Sequence, residues 1–305
     1  MEHFLKLLDL TGEEITGLLN LSTELKAKQK QHIPHPYLAG KSVGLLFEKS
    51  STRTRVSFEV GVHQLGGHPL YLSAKDMQIG RGEPVEDTAR VLSRYLDCLL
   101  IRTYDQKEVE DFAKYGSIPV INGLTDFAHP CQVLADLLTI REHYGELKGL
   151  KMCYIGDGNN MANSLIAGGL KAGMQVAAAT PKSYRPDEAV LSFASGFEVF
   201  SLTEEPLEAA RNADVVITDT WASMGQEKEK EERKRIFKNY QINAELLHEA
   251  NPGAMVLHCL PAYRGQEITA EVFEAHAKEI FDEAENRLHV QKAVMATLGG
   301  SKEKG

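Results

Sequence analysis

Short apolar runs alternate with amphipathic stretches along almost the whole chain, and this alternation constrains the fold more than any other feature. Runs such as Val43 to Phe47 and Met152 to Ile155 have the length of buried strands, and the segments between them are long enough for one helix each. That is the pattern of parallel strands joined by helical crossovers. It predicts strands near 43 to 47, 69 to 73, 97 to 102 and 118 to 121, with helices near 53 to 66, 85 to 95, 107 to 115 and 131 to 144. A second series of strands is expected near 151 to 155, 175 to 179, 198 to 201, 214 to 218, 255 to 258 and 279 to 281. Helices near 160 to 172, 206 to 211, 243 to 249 and 270 to 276 interleave with them.

With 305 residues the chain exceeds one ordinary hydrophobic core. The expected fold class is therefore α/β with two domains, each a mainly parallel sheet flanked by helices, spanning 1–144 and 149–285. Tyr144 to Gly149 has turn chemistry and reads as the hinge. A last helical stretch, about 286 to 298 within the segment 286–305, has no strand to lead into and is expected to pack back on the first domain. Near the N-terminus, Thr11-Gly-Glu-Glu14 reads as a capping box opening a helix through Leu25.

Composition narrows the function classes. Against 34 basic side chains stand 43 acidic ones, a net charge of −9, so general nucleic-acid binding is not expected. No apolar stretch is long enough to cross a membrane, and no secretory leader is recognisable. Cys98, Cys131, Cys153 and Cys259 form no C-x-x-C pair, which argues against a zinc ribbon or a disulfide framework and fits a reducing, cytoplasmic compartment. Glu227 to Arg235, with its alternating charges, reads as a solvated helix face or mobile loop.

In parallel sheets ligands sit beyond the carboxyl ends of strands, so the residues just after each expected strand carry the chemistry. After the first comes Ser51-Thr-Arg-Thr-Arg55, which reads as an anion trap: N-terminal amides of a helix, hydroxyls and the guanidinium groups of Arg53 and Arg55 converging on a phosphate or acyl phosphate. The plainer alternative is an N-cap followed by two solvated arginines. Later strand ends supply Arg102-Thr103, His129-Pro-Cys-Gln132, Asp157-Gly-Asn-Asn160, Asp219-Thr-Trp-Ala-Ser-Met-Gly225 and His258-Cys-Leu-Pro261. Gly156-Asp-Gly invites a dinucleotide reading but fails it, because the third glycine position is Met161 and the next strand end lacks an acidic residue for a ribose. Two-residue pairs such as His258-Cys259 make weak metal sites, and neither a metal nor a cofactor is expected.

These motifs resemble the transcarbamylase family over nearly the whole chain. Phe47-Glu-Lys-Ser-Ser-Thr-Arg-Thr-Arg55 and His129-Pro-Cys-Gln132 are similar to the family in general, whereas Asp219 to Glu227 and His258 to Pro261 resemble its ornithine branch. The resemblance implies transfer of a carbamoyl group from carbamoyl phosphate to the δ-amine of ornithine, in arginine synthesis or, in reverse, in arginine breakdown. It implies that Ser51, Thr52, Arg53, Thr54, Arg102, His129, Gln132, Cys259, Leu260 and Arg287 contact carbamoyl phosphate, with Thr54, Arg102, His129 and Cys259 nearest the reacting centre. Asn160, Asp219, Ser223 and Met224 would meet ornithine, the loop Ser223-Met-Gly225 would act as a flap, and the chain would assemble as a homotrimer or a multiple of trimers. An acidic and thiol-bearing second half suits an amine-bearing acceptor better than aspartate, with putrescine the close competitor.

Overall fold

The computed structural model describes residues 1–222 and 229–299. The chain divides into two units, Met1–Leu134 with Arg287–Gly305 and Ala135–Asn286. The first begins with helix α1 (Gly12–Lys30), opened by the Thr11–Glu14 capping box. Then follow β1 (Ser42–Phe47), α2 (Thr52–Gln64), β2 (His68–Ser73), α3 (Val85–Leu92), β3 (Cys98–Arg102), α4 (Gln106–Tyr115) and β4 (Val120–Leu124). Helix α5 (Pro130–Tyr144) carries the chain into the second unit. There β5 (Lys151–Ile155), α6 (Asn160–Lys171), β6 (Gln175–Ala179), α7 (Glu188–Ala194), β7 (Phe200–Thr203), α8 (Pro206–Ala210) and β8 (Val215–Thr218) are followed by α9 (Lys230–Ile236), α10 (Ala244–Glu249), β9 (Met255–His258) and α11 (Ala270–Ala275). The last helix is α12 (Ala277–Gly299).

All strand pairings within the two sheets are parallel, in the orders β2-β1-β3-β4 and β7-β6-β5-β8-β9. The central strands β3 and β8 are buried along their length, whereas the edge strands β2 and β7 hold no fully buried residue. The first sheet packs Leu46, Leu99, Ile101 and Val120 against Val109 and Phe112 of α4. In the second, Ile155, Ala177, Val216 and Val256 pack with Trp221, Phe237 and Phe273. Full burial of each such large apolar side chain contributes about 1.5–3 kcal/mol. In each sheet the strand order reverses direction once, between β1 and β3 and between β5 and β8. Those two switch points are where such sheets open a crevice for a ligand.

Two expectations are corrected here. The strand expected at 279 to 281 lies inside α12. Its apolar pair Ile280-Phe281 is split by helical geometry, with Ile280 fully buried and Phe281 56% exposed, and the polar residues Glu283 and Asn286 continue the buried stripe and mask its period. Glu227 to Arg235 is not simply a solvated stretch either. Residues 227 and 228 lie outside the described residues; α9 starts at Lys230 and is the expected solvated helix face at Glu231, Glu232 and Arg235, but it buries Arg233. The division between units falls inside the continuous helices α5 and α12, not at the turn residues 144 to 149. No helix among the described residues is long and apolar enough to cross a membrane.

Candidate active site

At the switch point of the first sheet, α2 starts directly after β1, and Ser51 caps it by accepting a hydrogen bond from Thr54 N at 3.3 Å. This places Thr54 in the first turn, fully buried. Its Oγ1 accepts from Arg102 Nη1 at 3.2 Å, at the end of β3, and from Arg287 Nη2 at 2.8 Å, on α12. A hydroxyl has two lone pairs and one proton, so with both lone pairs engaged the proton is left to be donated. His129 immediately precedes α5 and is buried with Gln132. Burial, and then the charges of Arg287, Arg102, Lys49 and Arg53, hold its imidazole well below the usual histidine range, so at neutral pH it is uncharged. Lys49 is itself balanced by Asp126 at 3.2 Å. The result is a largely buried cluster of positive charge beside a neutral imidazole, an environment for a doubly charged anion.

Arg55 does not join this group. It is exposed, pairs with Glu59 one helical turn on (2.9 Å) and lies over the Tyr71 ring at 3.7 Å. Residues 53 and 55 cannot both point to one spot, because two positions along a helix is about 200° around it. Thr52 is exposed and Arg53 half-buried at the opening of the helix.

The switch point of the second sheet has the opposite sign. Asp219 follows β8 and is buried. Its Oδ1 accepts from Thr220 N at 2.7 Å and from the Cys259 thiol at 3.0 Å, and its Oδ2 accepts from Asn159 Nδ2 at 2.9 Å. Burial pushes the Cys259 thiol well above its ordinary value, and the Asp219 carboxylate adds to the shift. Cys259 is thus a protonated donor and not a thiolate nucleophile. Asn159 also caps α6, accepting from Met161 N and Ala162 N, so one side chain fixes both the turn and the carboxylate. The turn itself needs glycine at 158, where a Cβ would sit 2.2 Å from the Arg185 carbonyl carbon.

Cys259 is presented by a turn held by fully buried His258. The imidazole Nδ1 accepts from Leu260 N at 2.9 Å, which makes Nε2 the protonated nitrogen, donating to Glu267 Oε1 at 3.0 Å. The same Glu267 oxygen accepts from Tyr263 N at 2.6 Å, and Leu260 adopts a left-handed φ of 56°. Arg233 anchors the other side of the site by pairing with Asp157 Oδ2 at 2.7 Å and donating to Trp221 O at 3.0 Å.

The structure therefore brings together Thr54, Arg102, Arg287 and His129 in one unit, and Asp219 and Cys259 in the other. Asn160 is the buried first residue of α6, next to the Asn159 that touches Asp219. Ser223 and Met224 lie outside the described residues. Asn159, Arg233, His258 and Glu267 were not among the expected site residues. An Asn at the N-cap position and a histidine beside the thiol were the available signals for the first and third.

Two parallel sheets, one with a cationic switch point and one with an acidic switch point, suit an enzyme that handles an anionic and an amine-bearing substrate. Residues 2–142 match the family model described as aspartate/ornithine carbamoyltransferase, carbamoyl-P binding domain, and residues 148–298 match that of the Asp/Orn binding domain. The chain belongs to the aspartate/ornithine carbamoyltransferase family. It is 55% identical over 303 residues to the ornithine carbamoyltransferase of Carboxydothermus hydrogenoformans, covering 97% of each chain. Among solved structures it is similar to the ornithine carbamoyltransferase of Pyrococcus furiosus, with a TM-score of 0.93 at 52% identity over 99% of this chain and 98% of that one. The anabolic ornithine carbamoyltransferase of Campylobacter jejuni superposes with a TM-score of 0.92 at 43% identity, over 98% and 99% of the two chains.

Proposed function

We propose that this chain is an ornithine carbamoyltransferase, transferring the carbamoyl group of carbamoyl phosphate to the δ-amine of L-ornithine to give L-citrulline and phosphate. The observation that carries the reading is Thr54, whose lone pairs are occupied by Arg102 and Arg287 so that its proton is free to meet an anionic oxygen. Ser51, Thr52, Arg53, Gln132 and the α2 amides complete the phosphate cradle, with residues 1–144 and the last helix as the carbamoyl-phosphate half. Residues 149–285 form the ornithine half, in which Asp219 meets the α-ammonium and Asn160, Ser223 and Met224 the rest of the amino-acid end.

The uncharged δ-amine attacks the carbonyl carbon, and the carbonyl oxygen gains negative charge. Thr54, Arg102 and neutral His129 donate to that oxygen, which is the larger part of the rate enhancement in such acyl transfers. The tetrahedral intermediate then breaks its bond to the bridging oxygen, and the departing phosphate takes the amine proton. A free δ-ammonium has a pKa of about 10.4, and a desolvated site beside guanidinium groups favours its uncharged form. Cys259, as a thiol donor, and the Leu260 backbone line the reacting centre, so no covalent enzyme intermediate forms. We further place the enzyme in the cytoplasm as a homotrimer, testable by sedimentation equilibrium.

The deciding experiment is an assay of citrulline formation from carbamoyl phosphate and ornithine, run beside putrescine and aspartate. Ornithine should exceed both by at least about tenfold in kcat/KM, since putrescine lacks the α-carboxylate and aspartate puts a second carboxylate where ornithine has its δ-amine. Equal or better turnover of putrescine would overturn the acceptor assignment.

A further inference from the structure

Lys292 is fully buried on α12, and nothing in the reaction uses it. Leu288, Lys292 and Met295 form one stripe of that helix, and all three face Gly61 of α2. A Cβ at Gly61 would lie 3.0 Å from Met295 Cε and 3.3 Å from Lys292 Cγ, so the two helices approach as closely as they do because that position has no side chain. At the end of the stripe the Lys292 Nζ donates to Gln64 Oε1, the last residue of α2, at 2.9 Å. It also lies 2.7 Å from His35 Nε2. The other ring nitrogen of His35 bonds Ile33 O at 2.7 Å and must carry the ring proton, so Nε2 accepts from the lysine.

An amine is an expensive way to fill an apolar seam. Burial brings the Lys292 ammonium down to about 8, the sign of a group whose charge is poorly solvated. A methionine or leucine would pack the same stripe without that penalty. What the amine supplies is direction, because its two bonds run to two different elements and hold only at one register of α12 on α2. Deprotonation leaves two N–H donors for the same two acceptors, so the clamp persists on either side of its titration. Arg287 lies five positions earlier on the same helix, about 7.5 Å along its axis, with its guanidinium on Thr54 at the other end of α2. A slip of about an ångström at the clamp is carried rigidly to that contact.

We propose that Lys292, together with His35 and Gln64, is a positioning residue for the anion cradle: it sets the register of α12 on α2 and so places the Arg287 guanidinium at Thr54. This rests on the reading of that cradle as the carbamoyl-phosphate site.

The test is steady-state kinetics on the full chain with Lys292→Met, which keeps length and apolar packing but removes the donors. KM for carbamoyl phosphate should rise about tenfold, while kcat and KM for ornithine stay within about twofold. Lys292→Gln, which retains a donor, should fall between. Gln64→Leu cuts the clamp from the α2 side and should shift the same constant in the same direction, which keeps the test decisive if Lys292→Met does not fold. The sharper measurement is a double-mutant cycle: in an Arg287→Ala background Lys292→Met should have no further effect on carbamoyl-phosphate KM. An unchanged KM in Lys292→Met and Gln64→Leu, or a full effect persisting in the Arg287→Ala background, overturns the proposal. If Arg287→Ala alone leaves carbamoyl-phosphate KM untouched, the cradle reading itself is wrong, and the role of Lys292 falls with it.

Discussion

The two switch points are built alike and charged in opposite senses. In the first unit a histidine sits among Lys49, Arg53, Arg102 and Arg287 and is driven to its neutral form by burial and by those cations. In the second a thiol sits against Asp219 and is driven to its neutral form by burial and by that carboxylate. The same topology thus yields one place for an anion and one for an amine, and both potential titrating groups are left as uncharged hydrogen-bond donors. The lesson is that parallel-sheet geometry fixes where a ligand sits, and the sign of the charged residues at the strand ends decides which ligand it is.

The largest effect that would test this contrast is at Arg102. It is buried and donates to Thr54, so Arg102→Ala removes one of the oxyanion donors we propose and disturbs a second. Turnover should fall by about 10² to 10³, with weaker binding of carbamoyl phosphate. Near-normal kcat would remove the first unit from the chemistry. Next in size is Asp219→Asn, which keeps the shape but takes away the charge we propose for the α-ammonium. We expect KM for ornithine to rise roughly 30-fold and KM for carbamoyl phosphate to change by less than about twofold. Equal effects on both substrates would abolish the distinction between the halves.

Much of this layout was legible because it is local. The runs of the two sheets and the Thr11 capping box are patterns within a few residues, and they lie where those patterns predict. What escaped were side chains whose meaning depends on a distant partner. Arg233 lies 76 positions from Asp157, and within a run of alternating charges it looks like any solvated residue. Asn159 and Asn160 are indistinguishable as letters, and only the capping geometry selects the first to hold Asp219. Arg55 shows the reverse failure: adjacency in a motif suggested convergence, and helical geometry sends it to Glu59 and Tyr71. The false strand at 279 to 281 arose because buried Glu283 and Asn286 hide the period of α12 from a pattern of apolar residues alone.

A smaller effect separates donor from nucleophile at Cys259. Cys259→Ser keeps a proton for Asp219 and should lose no more than about tenfold in kcat/KM, whereas Cys259→Ala leaves the carboxylate without that bond and should lose more. A serine variant as inactive as the alanine one would point to sulfur chemistry instead.

The smallest expected effect concerns a pair of acids that share one hydroxyl beside Arg102. The Thr103 hydroxyl, next to Arg102, lies 2.6 Å from Glu48 Oε2 and 2.5 Å from Glu108 Oε2. One hydroxyl proton serves one carboxylate, so the second contact requires a protonated carboxyl. Burial raises the Glu108 pKa, and the neighbouring Glu48 charge adds to that, which makes Glu108 the proton holder. Because the folded value lies above the unfolded one, this contribution to stability is complete below the unfolded pKa and is lost as pH rises through the folded value. Glu108→Gln keeps a donor at every pH. It should raise the melting temperature by about 2 °C at pH 8 and by nothing measurable at about pH 3.5, with carbamoyl-phosphate KM unchanged. The same gain at both pH values would mean that Glu108 does not titrate in this range, and the pair would then be sharing its proton by some other arrangement of Glu48.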